Sequence, residues 1–203
     1  YYNKDLFDEA GVPYPPADYN DKSFTWDKFL EVALKLTKRD SSGKVVQFGY
    51  QYATQRIARV ATHVYAFGGQ VVDDPARPTK CLLTSERAVA ALQFLQDLRE
   101  KHKVAPYPAD LAAAQATGDA NTVFLRTGKL AMCYAGSWDA PNMIASKMNW
   151  DVAPLPRSNY DGKPGTVIAT NAYVLTALGK HRDLGYQWLA VCAGKEFEQE
   201  WAT

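Results

Sequence analysis

The sequence predicts an α/β fold in which a sheet is flanked by helices, and three stretches carry the prediction. In FLRTGKLAMCYAGSWDAP, residues 124–141, an amphipathic run ends at Gly128, a short apolar strand spans Leu130 to Tyr134, and Gly136-Ser137 turns the backbone into a new helix. Upstream, an amphipathic helix over 26–38 leads into a strand over 45–52, and downstream a short strand over 150–154 is followed by a loop, another strand and a terminal helix. Helical periods of 3.6 alternating with short apolar runs are the signature of this class.

In chain order, Tyr1 to Val12 reads as a short helix with Leu6, Phe7 and Ala10 on one face, stopped by Gly11. Pro13, Pro15 and Pro16 then exclude regular structure. Thr25 caps the helix that begins at Trp26, whose positions Phe29, Val32, Ala33 and Leu36 form an inward stripe. A helix from Tyr52 to Gly69 carries an unusual polar face, Gln55, Arg56, Arg59 and His63, with His63 expected on the helix surface because no second metal ligand lies at the right spacing. The two arginines fit a solvated face as well as a binding role. Cys81-Leu82-Leu83 reads as an edge strand, and Ser85 opens a regular helix with Val89, Leu92, Leu95 and Leu98 inward. Pro106-Tyr107-Pro108 breaks the chain before weakly helical segments over 112–125. Pro156 to Pro164 is a loop with a turn at Asp161-Gly162, Thr166 to Leu175 a strand, and His181 to Thr203 a helix with Leu184, Trp188, Val191 and Phe197 inward.

Composition narrows the function. Twenty-three Lys and Arg against 22 Asp and Glu give a net charge of +1 without a basic run, which argues against nucleic acid or an anionic membrane as partner and favours a neutral ligand. Twelve Tyr and 5 Trp supply flat apolar faces. Cys81, Cys133 and Cys192 stand far apart, with no CxxC pair and no zinc spacing, so no metal or cofactor is expected; Cys133 and Cys192, among apolar neighbours, read as buried free thiols. No run approaches the roughly 18 apolar residues of a membrane span, and YYNKDLF is not a signal peptide. Neither G-x-S-x-G, H-E-x-x-H, S-x-x-K, a P-loop nor a dinucleotide glycine motif stands in a matching context, so no catalytic signature is read here, although glycosidase carboxylates carry no local signature and 22 acids are present.

Trp138 falls where a strand ends and a helix begins, which in open α/β sheets is where ligands collect. Ser137 is a candidate N-cap, and Asp139 sits at the positive end of the following helix. By composition Trp138 fits a core aromatic as well as a surface one.

The stretch GKLAMCYAGSW resembles the GK-x-AM-x-x-x-G-x-W signature of the family 1 extracellular solute-binding proteins, the sugar-capturing subunits of ABC importers of the maltose and glycerol phosphate type. YYNKDLFDEAGV, TWDKFLEVALKLTK and the later WDVAPLP are similar to that family in the same order. The resemblance implies a lobe of the type II periplasmic-binding-protein kind over residues 1–156, and over 157–203 a hinge crossing with a strand and helix of the other lobe. It implies a mono- or oligosaccharide ligand, an ABC importer permease as membrane partner, and a location in the periplasm or on the outer face of a bacterial membrane, with or without a lipid anchor. Trp138 would be the stacking platform and Tyr134 a second one, with Gln55, Arg56, Arg59, Ser137 and Asp139 as polar contacts. At the crossing, where the family often carries Gly and Trp, this chain reads ATNA, which leaves Asn171 as a hydrogen-bonding candidate. The chain is then an internal piece without its signal, expected to bind sugar weakly alone and to self-associate through Val167, Ile168 and Trp188. A fragment of a carbohydrate-active enzyme and a sensory module of the same fold are the alternatives.

Overall fold

The computed structural model describes residues 1–52, 57–115, 120–163, 165–166 and 172–201. Contacts divide the chain into two compact units, Tyr1–Val167 and Ile168–Thr203.

The first unit is built on a mixed sheet. Its strands are β1 (Tyr2–Asn3), β2 (Lys38–Arg39), β3 (Val45–Gln51), β4 (Leu130–Cys133) and β5 (Trp150–Asp151), in the spatial order β2-β3-β4-β1-β5. β3 and β4 are parallel neighbours, with Tyr50 opposite Met132 and Gln51 opposite Cys133, and β1 runs antiparallel to both β4 and β5. The helices of this unit are α1 (Lys4–Ala10), α2 (Trp26–Lys35), α3 (Ile57–Ala66), α4 (Glu86–Glu100), α5 (Pro108–Gln115), α6 (Ala120–Arg126) and α7 (Ala140–Ala145).

Two apolar clusters pack against the sheet. In the larger, Trp26, Phe29 and Ala33 of α2 and the following Leu36 join Val64 and Phe67, Ala88, Ala91, Leu95 and Leu98 of α4, and Tyr50 of β3. Leu111, Phe124, Leu125, Leu130, Cys133 and Met143 form a smaller cluster. Gly49 is required where α2 crosses β3, because a Cβ there would stand 2.1 Å from the Ala33 carbonyl oxygen.

Local chemistry sets the element ends. The Asn3 side chain accepts from the Leu6 amide at the start of α1, and Gly11 closes that helix in the left-handed region at φ 61°. Thr25 caps α2 as expected, but α2 stops at Lys35 and not Lys38. Gln47 Nε2 donates to the Leu36 carbonyl at 2.7 Å, and Lys38–Arg39 leaves as a strand paired with β3. On α4 the inward positions are Ala88, Ala91, Leu95 and Leu98; Leu95 and Leu98 are buried as expected, while Leu92 is half-buried and Val89 half exposed, each one residue past a buried alanine. Cys81 makes a single antiparallel bridge with Val72 in place of a strand, and β5 is two residues long.

The described residues of the Pro156–Pro164 loop are held to the first unit through polar groups. Arg157 is buried and donates to the carbonyls of Asp21 at 2.6 Å, Tyr19 at 2.5 Å and Gly162 at 3.0 Å. Ser158 is 1% exposed, and Asn159 pairs with Asp27.

The second unit carries α8 (Arg182–Cys192) and α9 (Lys195–Trp201), so the single helix expected over 181–203 is broken at Ala193-Gly194. The described part of the expected 166–175 strand, residues 166 and 172–175, forms no strand. Leu184, Trp188 and Val191 are 66%, 64% and 57% exposed, opposite to their expected inward placement. Cys192 is buried and in no disulfide, as is Cys133 of the first unit, while Cys81 is exposed.

Candidate functional site

The parallel strands β3 and β4 end side by side, the Tyr134 amide donating to the Gln51 carbonyl at 3.0 Å. Past β4, Ser137–Asp139 forms a single 3-10 turn that leads into α7. Trp138 in that turn is 56% exposed, so the chain's most prominent aromatic stands on the surface and not in the core. Gly136 explains its pose. Its backbone is extended, φ −108° and ψ 177°, which any residue adopts, so glycine is needed here for room and not for turning. A Cβ at Gly136 would meet Trp138 Cη2 and Cζ3 at 2.2 Å: the indole lies directly on the glycine. The Tyr1 hydroxyl donates to the Gly136 carbonyl at 3.0 Å and holds the turn.

Helix α3 brings the polar groups. The Arg59 guanidinium stands 5.6 Å from the centre of the Trp138 ring, within range of a cation–π contact. Arg59 appears in none of the ion pairs among the described residues. One turn on, the Thr62 hydroxyl and the Tyr134 hydroxyl hydrogen-bond at 3.1 Å. A cavity of about 250 Å³ opens next to Tyr134, lined also by Ala135, Tyr19, Phe24, Pro154 and Leu155, and it does not reach Trp138. Tyr134 thus belongs to both places.

Of the sequence-predicted residues, the structure sets Arg59 against Trp138, and Tyr134 against Thr62 of the same helix. Ser137 is exposed beside them, but no side-chain bond from it caps either helical turn. Asp139 is 8% exposed and turned inward; after burial itself, its charge is the next cause that raises the Tyr1 phenol above its usual range. Gln55, Arg56 and Asn171 lie outside the described residues.

His63 is a correction: it is fully buried, not on the surface. Its ring is surrounded by Trp26, Tyr50, Tyr52 and Tyr134, with centroids 5.5 to 6.5 Å away. Nδ1 lies 3.0 Å from the Arg59 carbonyl and Nε2 3.2 Å from the Tyr50 hydroxyl. Burial lowers its pKa to about 4. A lone histidine on a helix carries no sign of burial, since the neighbours that bury it come from 13 residues upstream and 71 downstream. Gln51 was likewise overlooked: its Oε1 is buried without a hydrogen-bond partner at the end of β3. Among the described residues no group of three or more His, Cys, Asp or Glu could hold a metal, and no helix is long and apolar enough to cross a membrane.

The α/β unit with its mixed sheet and flanking helices has the fold of a type II periplasmic-binding-protein lobe. The chain belongs to the bacterial extracellular solute-binding proteins, the family whose model matches residues 1–199. Among its relatives is an arabinooligosaccharide-binding protein of Halalkalibacterium halodurans, 25% identical over 196 residues, 94% of this chain and 40% of that one. Similar solved structures include an ABC substrate-binding protein from Listeria monocytogenes in complex with cycloalternan, at TM-score 0.72 and 24% identity, covering 96% of this chain and 45% of that one. Another is a maltose/maltodextrin-binding domain from Bdellovibrio bacteriovorus bound to maltotriose, at TM-score 0.72 and 22% identity, covering 97% and 47%. The chain therefore spans about half the length of these relatives or a little less.

Proposed function

We propose that this chain supplies one side of a sugar-binding cleft in an extracytoplasmic binding protein that delivers its ligand to an ABC importer permease. The observation that carries the reading is the exposed Trp138 ring seated on Gly136 beside Arg59 and Tyr134. A sugar presents apolar C–H faces and many hydroxyls, so it needs a flat aromatic to stack on and fixed polar groups around it. Trp138 is the platform and Tyr134 the second aromatic. Arg59 and Ser137 are directional partners, with Gln55, Arg56, Asp139 and Asn171 completing the candidate set. Binding involves no covalent step.

Residues 1–156 are read as one lobe and 157–203 as the crossing with a strand and helix of the other. The exposed apolar face of α8, Leu184, Trp188 and Val191, fits a segment that packs against further sheet and that promotes self-association without it. The similar solved structures are about twice as long, which leaves length for a second lobe that closes over the ligand. The location is the periplasm or the outer face of a bacterial membrane.

A thermal-shift screen of the full-length polypeptide against mono- and oligosaccharides tests the reading. A true ligand at 100 times its Kd raises stability by about 2.7 kcal/mol. A rise with one sugar class, abolished in Trp138→Ala, supports the proposal; a panel in which no saccharide moves the melting temperature refutes it.

A further inference from the structure

The binding groups do not stand on the end of the sheet unaided. Arg59, Thr62 and His63 occupy successive positions of one face of α3, and each meets a different part of the site: Arg59 the Trp138 ring, Thr62 the Tyr134 hydroxyl, His63 the Tyr134 ring. His63 also reaches the sheet, through Tyr50 of β3, which it meets at 3.2 Å.

The partners fix the proton's place on the ring. A carbonyl only accepts, so the 3.0 Å contact between Nδ1 and the Arg59 carbonyl makes Nδ1–H the donor. Burial keeps the ring neutral, which leaves Nε2 as an acceptor and makes Tyr50 the donor to it. Burial also pushes the Tyr50 phenol well above its usual range, so that donor proton stays on. The ring's other neighbours are Trp26 of α2, Tyr52 at the end of β3 and Tyr134 after β4, none of them charged, and the charge on Arg59 is directed at Trp138. Among the described residues no carboxylate contributes to the histidine's electrostatics.

We propose that His63 is the positioning residue of this site: as the Nδ1–H tautomer it ties the first turn of α3 to the end of β3, and so sets where Arg59 meets Trp138 and where Thr62 meets Tyr134. The proposal rests on the reading of Trp138, Tyr134 and Arg59 as the ligand platform. It makes the geometry of the rim depend on one neutral imidazole that the ligand never touches. Protonating Nε2 sets a second N–H against the Tyr50 hydroxyl, which must then turn its own proton away, and puts a charge inside an aromatic box. The strain falls on α3.

The test reads the molecule first without sugar. Long-range proton–nitrogen NMR of the histidine rings reports the tautomer, and 19F NMR of protein labelled with 5-fluorotryptophan reports Trp138, its resonance assigned with Trp138→Phe. The expected results are an Nδ1–H ring at neutral pH, and a Trp138 resonance that moves in His63→Phe and in Tyr50→Phe while both variants still melt cooperatively. Val89→Ala, on the exposed side of α4, leaves the resonance in place. An Nε2–H ring, or a Trp138 resonance unmoved in a folded His63→Phe, overturns the proposal. Maltotriose and arabinotriose titrations of the same variants form the second arm. A sugar that binds the parent is expected to bind His63→Phe about tenfold more weakly, the scale of one hydrogen bond; unchanged affinity overturns the positioning role. If neither saccharide binds the parent while tautomer and coupling hold, the sugar reading fails and the positioning of Trp138 by His63 stands.

Discussion

Gly136→Ala separates the ligand platform from the fold with one methyl group. The new Cβ would sit 2.2 Å from Cη2 and Cζ3 and 2.5 Å from Cε3 of Trp138, so the indole has to leave its seat. The backbone does not resist, since φ −108° and ψ 177° suit alanine. Nor is the ring's departure costly. With Trp138 56% exposed, about 100 Å² of its apolar surface is buried, an upper bound of about 2.5 kcal/mol. A ring that swings aside forfeits only part of that, so the expected destabilisation is about 1 kcal/mol. Binding should suffer more: a displaced aromatic anchor costs about 2 kcal/mol, roughly thirtyfold in Kd. The control is Gly49→Ala, where the Cβ would stand 2.1 Å from a backbone carbonyl that cannot move aside, and the expected loss is a stability of about 3 kcal/mol. Urea melts and calorimetric titrations of both variants in the full-length protein make the comparison. The reasoning is refuted if Gly136→Ala binds like the parent, or if it unfolds as readily as Gly49→Ala.

Three further outcomes follow from other parts of the molecule. His63 has a folded-state pKa of about 4 against about 6.5 when unfolded, so the unfolded chain takes up the proton first as pH falls. Its contribution is complete above about pH 6.5 and is lost progressively down to about pH 4, about 3 kcal/mol in all; stability curves of the parent and His63→Phe should converge across that window, and parallel curves would contradict it. Arg157→Met keeps the apolar stem but leaves three carbonyls unpaired, and a chemical melt should register a loss of about 3 kcal/mol, a change below about 1 kcal/mol being incompatible with the observed contacts. Arg59→Ala, compared with Arg56→Ala at low and high salt, should weaken ligand binding; a loss that shrinks with salt marks an anionic ligand, and parent-like affinity in both marks a merely solvated face.

Much of the scaffold was legible because it is written in local patterns. The inward stripe of α2, its Thr25 cap and the strand entering at Val45 follow from periodicity and turn chemistry. The seat of Trp138 was only half legible: Gly136-Ser137 marks the end of a strand, yet nothing in the sequence says that the glycine makes room for a ring two residues on. Long-range partners were not legible at all. Arg157 finds two of its three carbonyls more than 130 residues away, and His63 its aromatic box across three elements, so each reads as an ordinary surface residue until the chain is folded. The exposed face of α8 is the opposite case: its apolar spacing reads as inward, and the described residues of its unit leave it uncovered.

The account turns on Trp138 being a ligand platform and not a structural aromatic, and one paired measurement decides it: calorimetric titration and thermal melting of Trp138→Ala beside the parent, using the saccharide with the largest thermal shift. An exposed platform predicts a melting temperature close to the parent's and an affinity reduced by about thirtyfold or more. A stability loss of about 3 to 5 kcal/mol with unchanged affinity is what a core tryptophan would give, and it would contradict the account.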